Sequence, residues 1–409
     1  MNVLVSTLVG LLVVAILVAM VTRRLAIPYT VGLVITGVAL ALTGRHMGIG
    51  LTHDVIFDVI LPPLLFEAAI NIHWKELRRD GLPILTLALI GTIISAAVVA
   101  AGMIYILQWP AAPAILFGVL IAATDPVAVI AMFKDNRIEG RLRLLVESES
   151  LFNDGVAAVL FSLVLAGIHP AGAQAAPVPV AAALLLSTVG GGILVGAACA
   201  GLVLLLAGRT SDHLIESTLT TVAAYGSFLL AEHFQFSGVL ATVTAGLVAG
   251  NFAVLAEDKT SRFSPKGREF VLALWEFIAF IANSLVFLLI GLTLAGMAFS
   301  RLSGLAYLVV IALVLVARAL TVYPLCLLFT RSRWAIPLRA QHVLWWGGLR
   351  GALGLALALS LPPSLPFRDE ILIATFAVVA FSVIVQGLTM PPLLRHAAVV
   401  PLKQPLGHK

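Results

Sequence analysis

Ionisable side chains inside long apolar runs are the residues of this 409-residue chain that could do chemistry. A charge near the centre of a bilayer costs at least ~2.5–3.5 kcal/mol on insertion scales, so each one needs a reason to be there. Six lie well inside such runs: Glu67 in LFEAAINI, Asp125 in ATDPVAV, Glu149 and Asp154 in ESLFNDG, Arg318 in ARAL and Arg350 in GGLRGALG. Glu147, Glu216 and Glu276 lie nearer the ends of their runs and are read as interfacial or snorkelling carboxylates.

Pro126 follows Asp125 in mid-run, so the carbonyl of Ala122 loses its helical partner and the backbone opens near Thr124. Open backbone at that depth is tolerated only when it is buried in protein or lines a water-filled cavity. The freed carbonyls, the Thr124 hydroxyl and the Asp125 carboxylate are hard oxygen donors suited to an alkali cation shedding its water. In the next run Glu149 and Asn153 share a helical face, and Asp154 is rotated about 100° from Asn153, so Asn153 and Asp154 can border one cavity. Burial in an apolar site favours the neutral form of a carboxylate. Asp154 is therefore the expected group that holds a proton until an arriving cation displaces it, and competition for one site couples two fluxes. Asn153 places an amide where a second acid could stand, so one proton per monovalent ion, an electroneutral exchange, is the simplest stoichiometry.

Glu149 and Arg318 are read as a structural ion pair, because an arginine inside a span needs a partner in the bundle interior. Arg350 is the competing partner. It sits among Gly347, Gly348, Gly351 and Gly354, a stretch that can either unwind or allow close helix packing. Glu67, four residues past Pro63, closes the cation passage or anchors a polar network.

The elements that must hold these groups follow from composition. Hydrophobic residues make up 61% of the chain and charged ones only 11%, against roughly 45–50% and 25% in soluble domains. Apolar runs span about 3–22, 27–43, 53–72, 81–107, 111–133, 141–168, 179–207, 213–232, 236–256, 269–298, 302–330, 340–361 and 370–394. A helix needs about 20 residues to cross a bilayer core, so the expected fold is an all-α membrane protein of about thirteen transmembrane helices. The first run lacks a basic start and a cleavage site, and reads as an uncleaved span. Loops after odd-numbered runs hold 20 of the 25 lysines and arginines and loops after even-numbered runs hold three. That bias puts the amino terminus outside and the carboxyl terminus in the cytoplasm.

Other function classes fit poorly. Cys199 and Cys326 lie in apolar runs, which argues against a disulfide framework or a thiolate metal site, and the nine histidines fall in loops or at run ends. The basic residues belong to loops, so the net charge of +5 does not indicate nucleic acid. No glycine-rich phosphate loop follows a strand pattern, so no nucleotide is expected to drive the chemistry. The segment 169–179 reads as a mobile linker and the residues after the last run as a short tail.

FEAA, TDP, ESLFNDG and GGLRG, in this order between about residues 60 and 360, resemble the motifs of bacterial NhaP-type sodium/proton antiporters, relatives of the animal sodium/proton exchangers. The resemblance implies an NhaA-like antiporter fold: two inverted six-helix repeats, about 1–168 and 213–397, joined by a linking helix at about 179–207, with residues 398–409 as a cytoplasmic tail. It further implies that the runs carrying Asp125 and Arg350 are discontinuous and cross near the midplane. Asp154 would carry ion and proton, Thr124 and Ser150 would help hold the cation, and Glu67 would stand at the ion site. Asn153 would match the asparagine of electroneutral members and Glu149 the acid bridged to a membrane arginine. The resemblance implies no cofactor beyond the transported Na+, or Li+ in its place, and H+. It also implies a homodimer in the inner-membrane bilayer and a role in pH homeostasis. The alternatives are a potassium/proton antiporter, a passive cation channel, and an intramembrane aspartyl protease using Asp125 and Asp154 as a dyad.

Overall fold

The computed structural model describes residues 2–25, 27–43, 51–135, 138, 140–168, 178–256, 261–297 and 299–396. Most of the 169–179 linker and the 398–409 tail lie outside the described residues. The described residues form helices and connecting turns, with no strand among them. Eight helices are long and apolar enough to cross a membrane: Ser6–Leu25, Trp74–Tyr105, Arg141–Gly167, Ala183–Ala207, His213–His233, Pro265–Ala295, Gly304–Leu327 and Arg368–His396. The other five apolar runs hold shorter or interrupted helices, at Tyr29–Leu42, 55–70, 111–135, Gly238–Val254 and 338–359.

The outer faces are what a bilayer requires. Leu186, Leu194 and Leu205 are 67–71% exposed along one helix, and Leu305 and Leu308 are exposed to a similar degree along another. Apolar patches of that extent do not face water in monomeric soluble proteins. Inside, the largest apolar cluster, including Phe117, Phe133, Leu145, Val343 and Leu353, surrounds the two interrupted helices. A second cluster of small residues, among them Ala200, Ala224, Ala245 and Ala249, lets neighbouring helices close around Trp275.

Two boundaries differ from those expected of the sequence, for the same reason. The fourth span begins at Trp74, not near residue 81, and the tenth at Pro265, not 269. A run of charges ends an apolar stretch without ending a helix when the charged face has partners. Leu77 and Asp80 turn inward on the first of these. Asp80 accepts from Nε of Arg141 at 2.8 Å, and Arg141 donates onward to the carbonyls of Ala335 and Trp334. At the second, the Ser264 side chain caps the amide of Gly267. Glu216 accepts from the Ser264 amide and hydroxyl, each at 2.9 Å. Glu216 is fully buried, so it does not snorkel to solvent. It anchors the start of a neighbouring helix.

Candidate functional site

Two helices break at the centre of the bundle. The first runs Ala111–Leu120 and resumes as Val127–Asp135; the second runs Leu338–Trp346 and resumes as Ala352–Leu359. The unwound segments touch, since the Asp125 amide donates to the Leu349 carbonyl at 2.7 Å. Pro126 accounts for the first break, as the sequence predicts. At the second, where the sequence allows either unwinding or close packing, the glycine-rich stretch unwinds.

Four half-helix ends meet here, and buried charges complement them. The amino-terminal ends of Val127–Asp135 and Ala352–Leu359 both face Asp125. The Val127 amide donates to its Oδ1 at 2.9 Å and the Ala352 amide faces the same carboxylate. The carboxyl-terminal end of Ala111–Leu120 faces Arg350, whose Nη1 donates to the carbonyls of Ala122 (2.6 Å) and Ala123 (2.9 Å). The end of Leu338–Trp346 is met by Arg318, which donates to the Leu344 carbonyl from Nη2 at 3.1 Å. Anions at helix amino termini and cations at carboxyl termini oppose the helix dipole, and the orphaned backbone groups find partners without water.

Arg318 also forms a bidentate pair with Glu149, at 2.9 and 2.8 Å, with both side chains buried. Arg350 is no member of that pair. It goes to the freed carbonyls, where it replaces the helical donors lost at the break behind Pro126.

Two glycines of GGLRG are where these charges enter. A β-carbon at Gly348 would meet the Arg318 guanidinium, and one at Gly351 would overlap the Asp125 carboxylate. Gly351 has φ −145°, which any residue tolerates, so the constraint at that position is steric. Gly351→Ala is expected to push Asp125 off the Val127 amide. Overpacking of this kind costs about 1–3 kcal/mol. A cation-driven proton flux within a factor of two of wild type, at equal protein per vesicle, would contradict this.

Beside the crossing lies a cavity of about 610 Å³. Glu67, Thr124, Asp125 and Asp154 line its buried end, and it reaches the exposed Arg23 and Arg395. The Oδ1 of Asp154 is buried and has no hydrogen-bond partner among the described residues, and Asp125, Glu149 and Arg350 are its charged neighbours. The Thr124 hydroxyl donates to Ser150 at 3.1 Å, which leaves its lone pairs free, while the Ser150 hydroxyl donates to the Thr124 carbonyl. Glu67 accepts from Asn71 at 3.2 Å. An oxygen-lined cavity holding one unpartnered carboxylate can take a monovalent cation or a proton, and repulsion between the two disfavours holding both.

Two expected site residues stand elsewhere. Asn153 turns its amide to Glu149 (3.4 Å) and does not line the cavity. Its shared helical face with Glu149 decides that orientation. Ser150 does not line the cavity either; it holds Thr124. In the opposite sense, Glu147, Glu276 and Asn283 line the cavity although none of them is an expected site residue. For Glu276 and Asn283 one helix carries a signal, since Glu276, Ala279, Phe280 and Asn283 follow the i, i+3, i+4, i+7 spacing of a single face.

No group of three or more metal-ligating side chains occurs among the described residues. Asp125 accepts from the Val127 amide at 2.9 Å and faces the Ala352 amide, so it spends hydrogen-bonding capacity on backbone that a protease dyad would spend on a water shared with Asp154.

Comparison with known proteins decides the family. The family model described as sodium/hydrogen exchanger, transmembrane, matches residues 10–396. The chain belongs to the sodium/hydrogen exchanger family. This family comprises transporters, not enzymes, which removes the protease alternative. Within it, the chain is 41% identical over 377 residues to the Na(+)/H(+) antiporter ApNhaP of Aphanothece halophytica, covering 91% of this chain and 70% of that protein. It is 37% identical over 351 residues to the Na(+)/H(+) antiporter NhaP of Pseudomonas aeruginosa, covering 84% and 81%. The fold matches the sodium proton antiporter MjNhaP1 of Methanocaldococcus jannaschii with a TM-score of 0.75, at 20% identity, over 97% of this chain and 98% of that one.

Proposed function

We propose that this chain is a secondary transporter that exchanges Na+, or Li+ in its place, for H+ across a bacterial inner membrane. The observation that carries the reading is the Asp154 carboxylate, whose Oδ1 lacks a partner among the described residues and which lines a cavity beside two crossed helix breaks. Family membership and relatives named as Na(+)/H(+) antiporters support the choice of ions. The cation enters along the cavity to Asp154 and displaces its proton. Thr124, held by Ser150, supplies further oxygen, and Glu67 stands beside the path. Asp125, Arg350 and Arg318 hold the half-helix ends, and Glu149 holds Arg318. With one carrier carboxylate, one ion exchanges for one proton and the exchange is electroneutral.

The lysine and arginine distribution supports a cytoplasmic position for the arginine-bearing mouth of the cavity, and in this reading the conformation is inward-facing. Alternating access then moves Asp154 with the crossed helices relative to the remainder. The division into repeats at about 1–168 and 213–397 around the 179–207 helix, and assembly as a homodimer, complete the proposal.

The test is cation-driven proton movement in proteoliposomes, read with a pH-sensitive dye, for Na+, Li+ and K+ under clamped potential. Sodium is expected to move protons at a rate insensitive to potential. Because ion and proton compete for one carboxylate, apparent KM for Na+ rises by about tenfold for each pH unit of acidification where the carrier is mostly protonated. A KM independent of pH would sink the competition mechanism. Proton movement with K+ alone would reassign the ion, a current without proton movement would indicate a channel, and silence toward all three would end the antiporter reading.

A further inference from the structure

Two more buried oxygens belong to residues that line the same cavity from a different wall. Thr30 is 3% exposed and its Oγ1 has no hydrogen-bond partner among the described residues; the Oδ1 of Asn283 is likewise buried and unpartnered. Both residues line the cavity. They come from helices Tyr29–Leu42 and Pro265–Ala295, neither of which carries the carboxylates of the crossing. The Tyr29 hydroxyl lies 2.7 Å from the Ser284 hydroxyl and its ring stacks on Phe280 at 5.5 Å, which brings the start of the first helix beside residues 280–284 of the second. Two turns earlier on the cavity face of that second helix stands Glu276, exposed toward the mouth.

Buried polar oxygens are almost always satisfied, and each exception calls for an explanation. At the crossing, Asp125 and Arg350 bond to backbone and Arg318 to Glu149, while Asp154 Oδ1 is unpartnered among the described residues like Thr30 Oγ1 and Asn283 Oδ1. Thr30 and Asn283 offer neutral, hard oxygens, the donor type that replaces part of an alkali cation's hydration shell. A cavity of about 610 Å³ leaves room for the ion to keep its remaining water.

We propose that Thr30 Oγ1 and Asn283 Oδ1 form a transit site for the monovalent cation, occupied between Glu276 at the mouth and Asp154 at the crossing. The inference rests on the antiport reading and extends it to a second binding position. Neither ligand titrates, so this site binds the cation without competing for the proton. It sets how readily sodium reaches the carrier at every pH, whereas Asp154 sets how sodium and proton exclude each other.

Apparent KM and maximal rate for Na+ are measured in proteoliposomes across pH for wild type, Thr30→Val, Asn283→Ala, the double variant and Thr30→Ser. Removing either oxygen is expected to raise KM by about threefold to tenfold, and more than it lowers maximal rate. The double variant gives less than the product of the singles, because both oxygens hold one ion. Thr30→Ser keeps the oxygen and restores KM, and the pH midpoint stays in place throughout. Unchanged KM in both singles overturns the site, as does a midpoint that moves with KM, which would mean action through Asp154. A loss of rate at constant KM also overturns it, as a packing effect. Thr30→Val preserves shape and removes no intramolecular bond, so it decides the question alone if Asn283→Ala does not fold. A wild type without sodium-driven flux removes the antiport reading and the transit site together; an active wild type with indifferent variants removes the transit site only.

Discussion

Asp154→Asn is expected to abolish sodium-driven proton movement and leave the folded protein intact. The substitution is nearly isosteric, and Oδ1 makes no hydrogen bond to the described residues that would be lost. It also removes one negative charge from a buried region that contains Asp125 and Glu149. Stability is therefore expected to stay within about 1 kcal/mol of wild type or to rise. Flux behaves differently, because an amide holds no exchangeable proton at working pH and gives the cation no counter-charge. At least a hundredfold loss is expected, measured as dye response per unit of reconstituted protein alongside a thermal melt. Residual proton movement above a few per cent would remove Asp154 as the carrier. A collapsed melt with no flux would show that the carboxylate is structural.

Breaking the Glu149–Arg318 pair is expected to produce the largest loss of stability. Glu149→Gln leaves a guanidinium that is 5% exposed without its counter-charge. Orphaning one partner of a buried pair costs about 3–5 kcal/mol. Arg318→Met is expected to be at least as damaging, since it strands the Glu149 carboxylate and also uncovers the Leu344 carbonyl at the end of a half-helix. The double substitution removes both charges and costs less than the two singles combined, which a double-mutant cycle of melting temperatures measures directly. Strict additivity would mean that the pair contributes no coupling, and singles as stable as wild type would show that water reaches the site and screens it. Transport is lost with the fold here, in contrast to Asp154→Asn.

The two expectations separate the groups that carry ions from those that hold the crossing. Asp125, Arg350 and Arg318 spend their hydrogen bonds on backbone released by the breaks or on each other's supporting carboxylate. Asp154 keeps an oxygen uncommitted. A carrier must be able to lose and regain its ligand, whereas a scaffold charge must not.

Local residue types alone determine much of this protein. Apolar runs of bilayer length, the loop positions of most lysines and arginines, and the break at Pro126 all follow from them. The carboxylates and arginines near the crossing stand out for the same reason, since a charge in hydrocarbon is expensive wherever it sits. That cost belongs to the residue itself and can be read in one dimension. The choice of partner cannot be read that way. Arg350 serves carbonyls 227 and 228 residues earlier rather than Glu149, and Glu216 anchors a helix start 48 residues away. Asn153 turns from the cavity to Glu149, while Thr30 and Asn283 line that cavity together. Each of these depends on which helices cross and at what height. Packing between segments far apart in sequence decides that, and no local pattern encodes it.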